Sequence, residues 1–276
     1  MEKPRPTVLT VIHRLGTRYF ADQVGRSAAE LSYYLLFSIF PLLIFLNAAA
    51  GMLDLSPGML SDNLGMVLPP QAAEVLASYL NYIQGLDTPL LLYACLFLTV
   101  YAISRAITSL LRSVSRAYRI QRQGRFHRAA GILLAVILLG SILLLLVLTM
   151  ISEGLLRELD RFFTVPDLLI RLWNLLRMMA APAYMFLVLA GFYSVVGHGR
   201  YRFWQSLPGA GFTVLVWFLA TTGFSWYVSR AARYSLLYGS LAAFMVLMLW
   251  FYLTGAVIIL GGELNHILIE LSGKGE

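Results

Sequence analysis

The chain has 276 residues and a formal net charge of +7, from 21 Lys and Arg against 14 Asp and Glu. Hydrophobic residues make up 59% and charged residues 13%, where a soluble domain carries about 25% charged residues, and the mean hydropathy is +0.74. This excludes an ordinary soluble domain and assigns the basic excess to the cytoplasmic loops of a membrane protein rather than to a nucleic-acid surface; the single cysteine, Cys95, excludes an internal disulfide and a Cys-based metal site.

The first element is expected over residues 7–24. Val8, Ile12, Leu15 and Tyr19 follow the spacing of an amphipathic helix, with His13, Arg14, Thr17 and Arg18 mostly off that stripe. Pro4 and Pro6 precede it and suit a helix start. It is too polar to span, so it is expected in the inner interface; the plainer alternative is a cytosolic packing helix. Residues 1–27 lack an apolar core segment, so no cleavable signal peptide is expected.

Membrane helix 1 is expected over 28–50, with Pro41 in mid-span. Proline removes one helical hydrogen bond and clashes with the carbonyl of Phe37, which predicts a kink, with Ser38 or a neighbouring helix satisfying the freed carbonyl. Residues 51–87 hold Asp54, Asp62, Glu74 and Asp87 without Lys or Arg. There Pro69-Pro70 opens a short amphipathic helix with Leu76, Tyr79, Leu80 and Ile83 on one face.

Helix 2 follows over 88–110, and the next loop, 111–128, carries Arg112, Arg116, Arg119, Arg122, Arg125 and Arg128 without an acid. Helix 3 is expected over 129–151, then a mixed-charge loop over 152–174. Helix 4 runs to about residue 196 and contains Pro182. A turn over 197–202 leads to helix 5 over 207–228, where Gly209, Gly211, Ala220 and Gly223 are close-packing positions.

Helix 6 closes the set. Residues 236–260 contain no charge, which exceeds the roughly 20 apolar residues needed to cross a bilayer core. Small residues recur along it at Gly239, Ala242, Ala243, Gly255 and Gly261, and it closes on Glu263, Asn265 and His266. A helix that only anchors needs neither feature, so this one is expected at the centre of a polytopic bundle.

The expected fold is therefore an all-α membrane bundle of six transmembrane helices forming one domain over 1–276. Residues 1–27 form the interfacial helix, 28–261 the bundle and 262–276 a cytoplasmic tail. Alternate loops carry fourteen Lys and Arg on one side and five on the other, which places both termini in the cytoplasm. No internal repeat is visible, so the inverted-repeat pointer to a transport site is missing.

Three ionisable side chains fall within or at the edge of the apolar spans: Glu30, Arg105 and Glu263. Charges at such depth are costly and usually pair or line water. They are expected to converge at the floor of a cavity open to the cytoplasm, with Arg105 balanced by Glu30 or Glu263, and with Tyr33, Tyr34 and Asn265 as neutral neighbours. The alternative is that each snorkels separately to the headgroups.

Arg105, Arg112, Arg116 and Arg119 lie at 7-4-3 spacing on one helix face. Arg112, Arg116, Arg119 and Arg122 are read as contacts to anionic lipid of the inner leaflet. An RNA-binding reading lacks an aromatic platform for bases, and the four histidines, His13, His127, His198 and His266, fall on separate segments. Glu263-x-x-His266 has the spacing of a helical metal pair, but di-iron bundles need two such motifs and the chain has one. Gly197-x-Gly199 is too short for a nucleotide loop. No metal, no cofactor and no catalytic group is assigned.

Several stretches carry a family resemblance. Arg202-Phe-Trp-Gln-Ser-Leu-Pro-Gly-Ala-Gly211, and Tyr238-Gly-Ser-Leu-Ala242 with Gly262-Glu-Leu-Asn265, resemble the YihY/BrkB family of bacterial inner-membrane proteins. Ala29 to Leu42 is similar to that family's first membrane helix, and Ser104-Arg105 through Arg116-Ala-Tyr118 to its segment after the second. The matches occur in the family's order over residues 15–268. The chain departs from the family at Ser115, where Asn is usual, and at Gly262 before Glu263, where Ala is frequent. The resemblance implies the bacterial inner membrane; members once labelled ribonuclease BN do not make this chain an enzyme.

Two functions are open. One is transport or translocation of a lipid-like or amphipathic solute; the other is a non-transporting scaffold in envelope assembly or virulence-type resistance, as the BrkB resemblance implies. The expected partners are membrane lipids, anionic at the cytoplasmic face, a lipid-like solute and further copies of the chain, without nucleic acid.

Overall fold

The computed structural model describes residues 8–52, 76, 78, 89–120, 128–141, 167–197, 202–230 and 240–272. Every regular element among them is a helix: α1 (Val8–Ala21), α2 (Val24–Met52), α3 (Pro89–Ala117), α4 (Arg128–Ser141), α5 (Asp167–Gly197), α6 (Phe203–Arg230) and α7 (Ser240–Leu271). The helix expected after Pro69-Pro70 lies outside the described residues except for Leu76 and Ser78, both helical. Also outside them are Arg122 and Arg125, the second half of helix 3, the loop 152–166 and the turn 198–201.

Four helical stretches are long and apolar enough to cross a membrane: Val24–Ala48, Tyr93–Ala117, Phe203–Val228 and Phe244–Leu271. Two shorter apolar helices, Arg128–Ser141 and Pro182–Gly197, fall where the third and fourth spans are expected. The surface is apolar where a soluble protein's would be charged. Phe97, Leu98 and Tyr101 on α3, Ile132, Leu133 and Val136 on α4, Leu215 and Leu219 on α6, and Met245 and Leu249 on α7 all point outward. The interior holds hydroxyls instead, among them Ser27, Ser32, Thr99, Thr108, Ser109, Ser113, Ser206 and Thr213. Hydrocarbon gives no hydrophobic drive between helices, so packing selects small residues that bring backbones together.

That logic explains the contacts. Buried Thr99, Ala102, Ala106, Ser109, Ser113 and Ala117 recur every three or four residues on α3, and this narrow stripe packs on α2. Against α7, α2 comes close at Gly255, where an added Cβ would stand 3.4 Å from the Ala28 Cα. Helix α7 touches α1, α2, α3 and α6, and is the hub of the bundle.

Several boundaries differ from the sequence expectation, and helix 1 begins at Val24, one turn before residue 28. Helix 2 does not stop at residue 110 but continues to Ala117, because arginine is a good helix former and Arg112 and Arg116 extend the helix beyond the apolar stretch. Helix 4 begins at Asp167, inside the expected loop. Helix 5 begins at Phe203, one turn earlier, with Pro208 inside it. The tail expected from residue 262 is helical to Leu271, because the charges that suggested an end are neutralised by α1. Helix α2 runs without a break through Pro41. The Ser38 hydroxyl donates to the carbonyl of Leu35 at 2.8 Å, and not to Phe37, the carbonyl that Pro41 displaces.

Candidate functional site

Among the described residues the ion pairs gather at one end of the bundle, where α1 lies across α2 and α7. Helix α1 turns Leu9, Ile12 and Phe20 outward and directs Arg14 and Arg18 at α7. Arg18 is the centre of the contact. Its Nη1 donates to Glu263 Oε2 at 3.2 Å and its Nη2 to Glu270 Oε2 at 2.8 Å. Arg14 Nη1 adds a 3.4 Å contact to the same Glu270 oxygen. Glu263 and Glu270 are seven residues apart on α7 and share a helix face, so one guanidinium spans both.

Burial separates the two pairs. The Glu263 side chain is 0% exposed and that of Arg18 14%, whereas Glu270 is 51% exposed. A buried charge keeps its ionised form only with good partners, because removing each ion from water costs several kcal/mol. Asp22, which follows α1, is a second charged neighbour of Glu263, of like sign, and is itself only 9% exposed.

Asp22 is held from another direction. Arg119 donates Nη1 and Nη2 to its two carboxylate oxygens at 3.1 and 3.3 Å, the fork geometry that suits a guanidinium. The backbone positions this arginine. Helix α3 ends with Ile120 N–H donating to Ser115 O and Arg119 N–H to Arg116 O, both at 2.9 Å, a Schellman cap. Arg119 occupies the cap position usually given to glycine, at φ 53°. Left-handed backbone costs a residue with a Cβ about 1–2 kcal/mol, and the bidentate contact with Asp22 offsets part of this. Gln23, between α1 and α2, also has φ 53°. Two left-handed turns thus bring the ends of α1 and α3 together over Glu263.

A second network centres on Asn265, two residues beyond Glu263 and so on a different face of α7. Pro208 has no N–H and displaces the carbonyl four residues before it, loosening the first turns of α6. Asn265, fully buried, bonds to this part of α6 from α7. Its Oδ1 accepts from Gly209 N–H at 2.6 Å, and its Nδ2 donates to Ser206 O and Tyr118 Oη, both at 3.2 Å. One amide therefore joins α3, α6 and α7. Further along, Tyr193 donates to Ile258 O at 2.6 Å; its single proton being used, it accepts from Thr213 at 2.9 Å. Replacing Asn265 with leucine is expected to lower stability by about 1–3 kcal/mol, since it strands a buried N–H and a buried carbonyl. Thermal unfolding in detergent measures the loss, and a variant as stable as the parent refutes the assignment.

Of the three ionisable groups expected to converge, Glu30 and Arg105 are electrostatic neighbours without an ion pair, while Glu263 is held by Arg18. Among the described residues no ion pair joins Arg105 to Glu30 or Glu263. Arg105 donates instead to Tyr34 Oη at 3.1 Å, with its guanidinium carbon 5.4 Å from the Tyr34 ring centre. Glu30 is exposed on α2, one of the two carboxylates that the sequence offered to Arg105. Glu263 is taken by Arg18. Tyr33 faces outward against Phe37 and Tyr34, and Asn265 belongs to the α6–α7 network. Of the arginines read as lipid contacts, Arg112 is exposed. Arg116 bonds Ser27 Oγ at 3.0 Å, Arg119 holds Asp22, and both keep an exposed surface.

Arg18 and Asp22 were not singled out from the sequence. The signal available was the pairing of Arg14 and Arg18, one turn apart, with Glu263 and Glu270, two turns apart; nothing local states that the first and last helices meet. Among the described residues no group of three or more His, Cys, Asp and Glu is placed to hold a metal ion.

Comparison with known proteins gives the following. The profile of the family described as Virulence factor BrkB matches residues 15–275. YfkH of Bacillus subtilis (strain 168), named as a ribonuclease-like protein, is 30% identical over 265 residues, covering 94% of this chain and 95% of its own. A UPF0761 membrane protein of Chromohalobacter salexigens is 26% identical over 270 residues, covering 95% of this chain and 64% of its own. The UPF0761 membrane protein VV0203 of Vibrio vulnificus (strain YJ016) is 24% identical over 273 residues, covering 95% and 83%. This chain therefore spans nearly all of one relative and about two thirds of another. No solved structure matches it.

Proposed function

This chain belongs to the Virulence factor BrkB family, relatives of which are membrane proteins, and from that premise we propose that it translocates a lipid-like or amphipathic solute. The observation that carries this reading is the buried carboxylate of Glu263, set in the last and most apolar span and neutralised from outside the bundle by Arg18 of α1. A charge at such depth is costly to keep and marks a pathway more often than a prop. Helix α1, apolar on its outer side, lies in the interface and latches the end of α7 through Arg18. Opening the latch exposes Glu263 and Asp22 to an entering headgroup.

The reading takes six spans, with α4 and α5 as the third and fourth, in the bacterial inner membrane with both termini cytoplasmic. The arginine bias of alternate loops supports that orientation. Anionic lipid contacts at Arg112, Arg116, Arg119 and Arg122 follow from it. The reading assigns no catalysis; the ribonuclease-like description belongs to YfkH, and the histidines of this chain are scattered.

Two measurements test this. In sealed vesicles with a labelled lipid, the purified protein should raise transbilayer movement above protein-free vesicles, and Glu263→Gln should reduce it at least tenfold. Movement equal to that in empty vesicles, with a stable envelope protein co-purifying, gives the scaffold function instead. In a Cys95→Ala background, cysteines at Ser61 and Asp160 should react with an impermeant thiol reagent in intact cells, and one at Gln123 should not. All three positions lie outside the described residues. Labelling at Gln123 reverses the orientation.

A further inference from the structure

A cavity of about 370 Å³ opens between α3 and α4, lined by Arg105, Thr108, Arg112 and Arg128. We propose that it is a binding site for a multiply charged phosphate group, a phosphomonoester headgroup of a lipid or a free phosphate.

Three arginines line one space, and among the described residues no acidic side chain lines it; Glu30 is an electrostatic neighbour of Arg105 but does not pair with it. Among the described residues none of the three makes an ion pair, although the same end of the bundle pairs Arg14, Arg18 and Arg119. Three like charges in one cavity repel unless an anion sits among them, and each further negative charge on that anion strengthens its attraction to all three. The charge count therefore favours a dianion over a zwitterionic phosphodiester. Guanidinium forks suit phosphate oxygens, and the volume lies at the lower end of ligand pockets, which start at about 300 Å³: enough for a headgroup, with acyl chains left outside.

The sequence builds the site by helix spacing. Arg105 and Arg112 are seven residues apart, two turns and about 10 Å along one face of α3, with Thr108 between them. Gly131 brings α4 in: a Cβ there would clash with the Thr108 hydroxyl and stand 3.0 Å from the Ser104 carbonyl. Without that Cβ the helices close, and Arg128, one turn earlier on α4, comes opposite α3. Tyr34 fixes Arg105 through the 3.1 Å bond, so part of its ordering entropy is already spent. Arg112 and Arg128 are exposed and stand at the mouth, while Arg105 is half-buried behind them. Basic pockets between membrane helices take lipid phosphates in this manner.

The site goes beyond the translocation reading, because binding requires no movement across the membrane, and vesicles that show no movement leave it intact. The test is calorimetric titration of the full chain in a nonionic detergent with three probes: dioctanoyl phosphatidic acid, dioctanoyl phosphatidylcholine and inorganic phosphate. Phosphatidic acid should bind saturably. Arg112→Gln and Arg128→Gln, both at exposed positions, should each weaken it at least tenfold, and Arg105→Gln should do the same. Arg202→Gln, exposed and away from the cavity, should leave it unchanged. Inorganic phosphate bound with the same dependence on the three arginines also supports the site and identifies the free anion as its source. Equal affinity for phosphatidylcholine, an unchanged Kd in the Arg112→Gln/Arg128→Gln double variant, or no saturable binding of either phosphate probe overturns the proposal.

Discussion

Arg18→Met is expected to cost about 3–5 kcal/mol of stability, the loss typical of removing one partner from a buried ion pair. The reason is what remains. Glu263, 0% exposed, is left beside Asp22, of like charge, with its cation gone. Glu270 loses the same guanidinium but is half exposed, so Glu270→Ala should cost no more than about 1 kcal/mol. The double variant Arg18→Met/Glu263→Met should recover most of the loss, because two apolar side chains of similar volume replace two charges that water no longer solvates. Unfolding in detergent, followed by helical circular dichroism, reads all three. If Arg18→Met unfolds at the parent's temperature, Arg18 does not hold Glu263, and the latch assigned to α1 fails with it.

Gly209→Ala should be as damaging for a different reason. An added Cβ at Gly209 would overlap the backbone carbonyl oxygen of Gly261 and come within 2.5 Å of Asn265 Cγ. Neither is the free end of a flexible side chain, so α6 and α7 must separate. Overpacking of this kind costs about 1–3 kcal/mol; the loss is expected at or above the top of that range, because separation also breaks the Asn265 bonds to Gly209 and Ser206. Gly261→Ala meets the reciprocal obstacle, with its Cβ 2.9 Å from Gly209 O. Gly223, on the same helix as Gly209, has nothing within 4 Å of an added Cβ. Gly223→Ala should therefore be neutral, or stabilising by about 0.4–1 kcal/mol through the unfolded chain. If both alanine variants behave alike, the close crossing is not what holds α6 to α7.

The two predictions rest on features of unequal legibility. Gly209, Gly255 and Gly261 could be read as close-packing positions, because small residues in apolar spans have few other uses. Asn265 could be read as polar and near a helix end, but its partners could not. Its partners Gly209, Ser206 and Tyr118 all lie 56 or more residues earlier in the chain. Arg18 was legible only as a charge off an apolar stripe, a position that ordinarily faces water.

The sequence alone determined the solvent, and with it most of the architecture. Long apolar runs must become helices in hydrocarbon, because no water is present to satisfy backbone groups. That requirement is local, so all-helical structure, the four long spans and the family follow from composition, run length and motif order. Helix ends were less secure, because arginine continues a helix as readily as it marks a loop, and α3 and α7 both run past their apolar stretches. Which charges meet is not a local property at all. Glu263 could have paired with Arg105, on a helix that α7 also touches; the structure gives it Arg18, 245 residues away in the chain. That choice depends on where α1 turns at Gln23 and where α3 ends at Arg119. Pairing energy falls steeply with distance and burial, so displacements of a few ångströms, set by the packing of α1 on α2 and α7, select one partner from several that the sequence leaves equivalent.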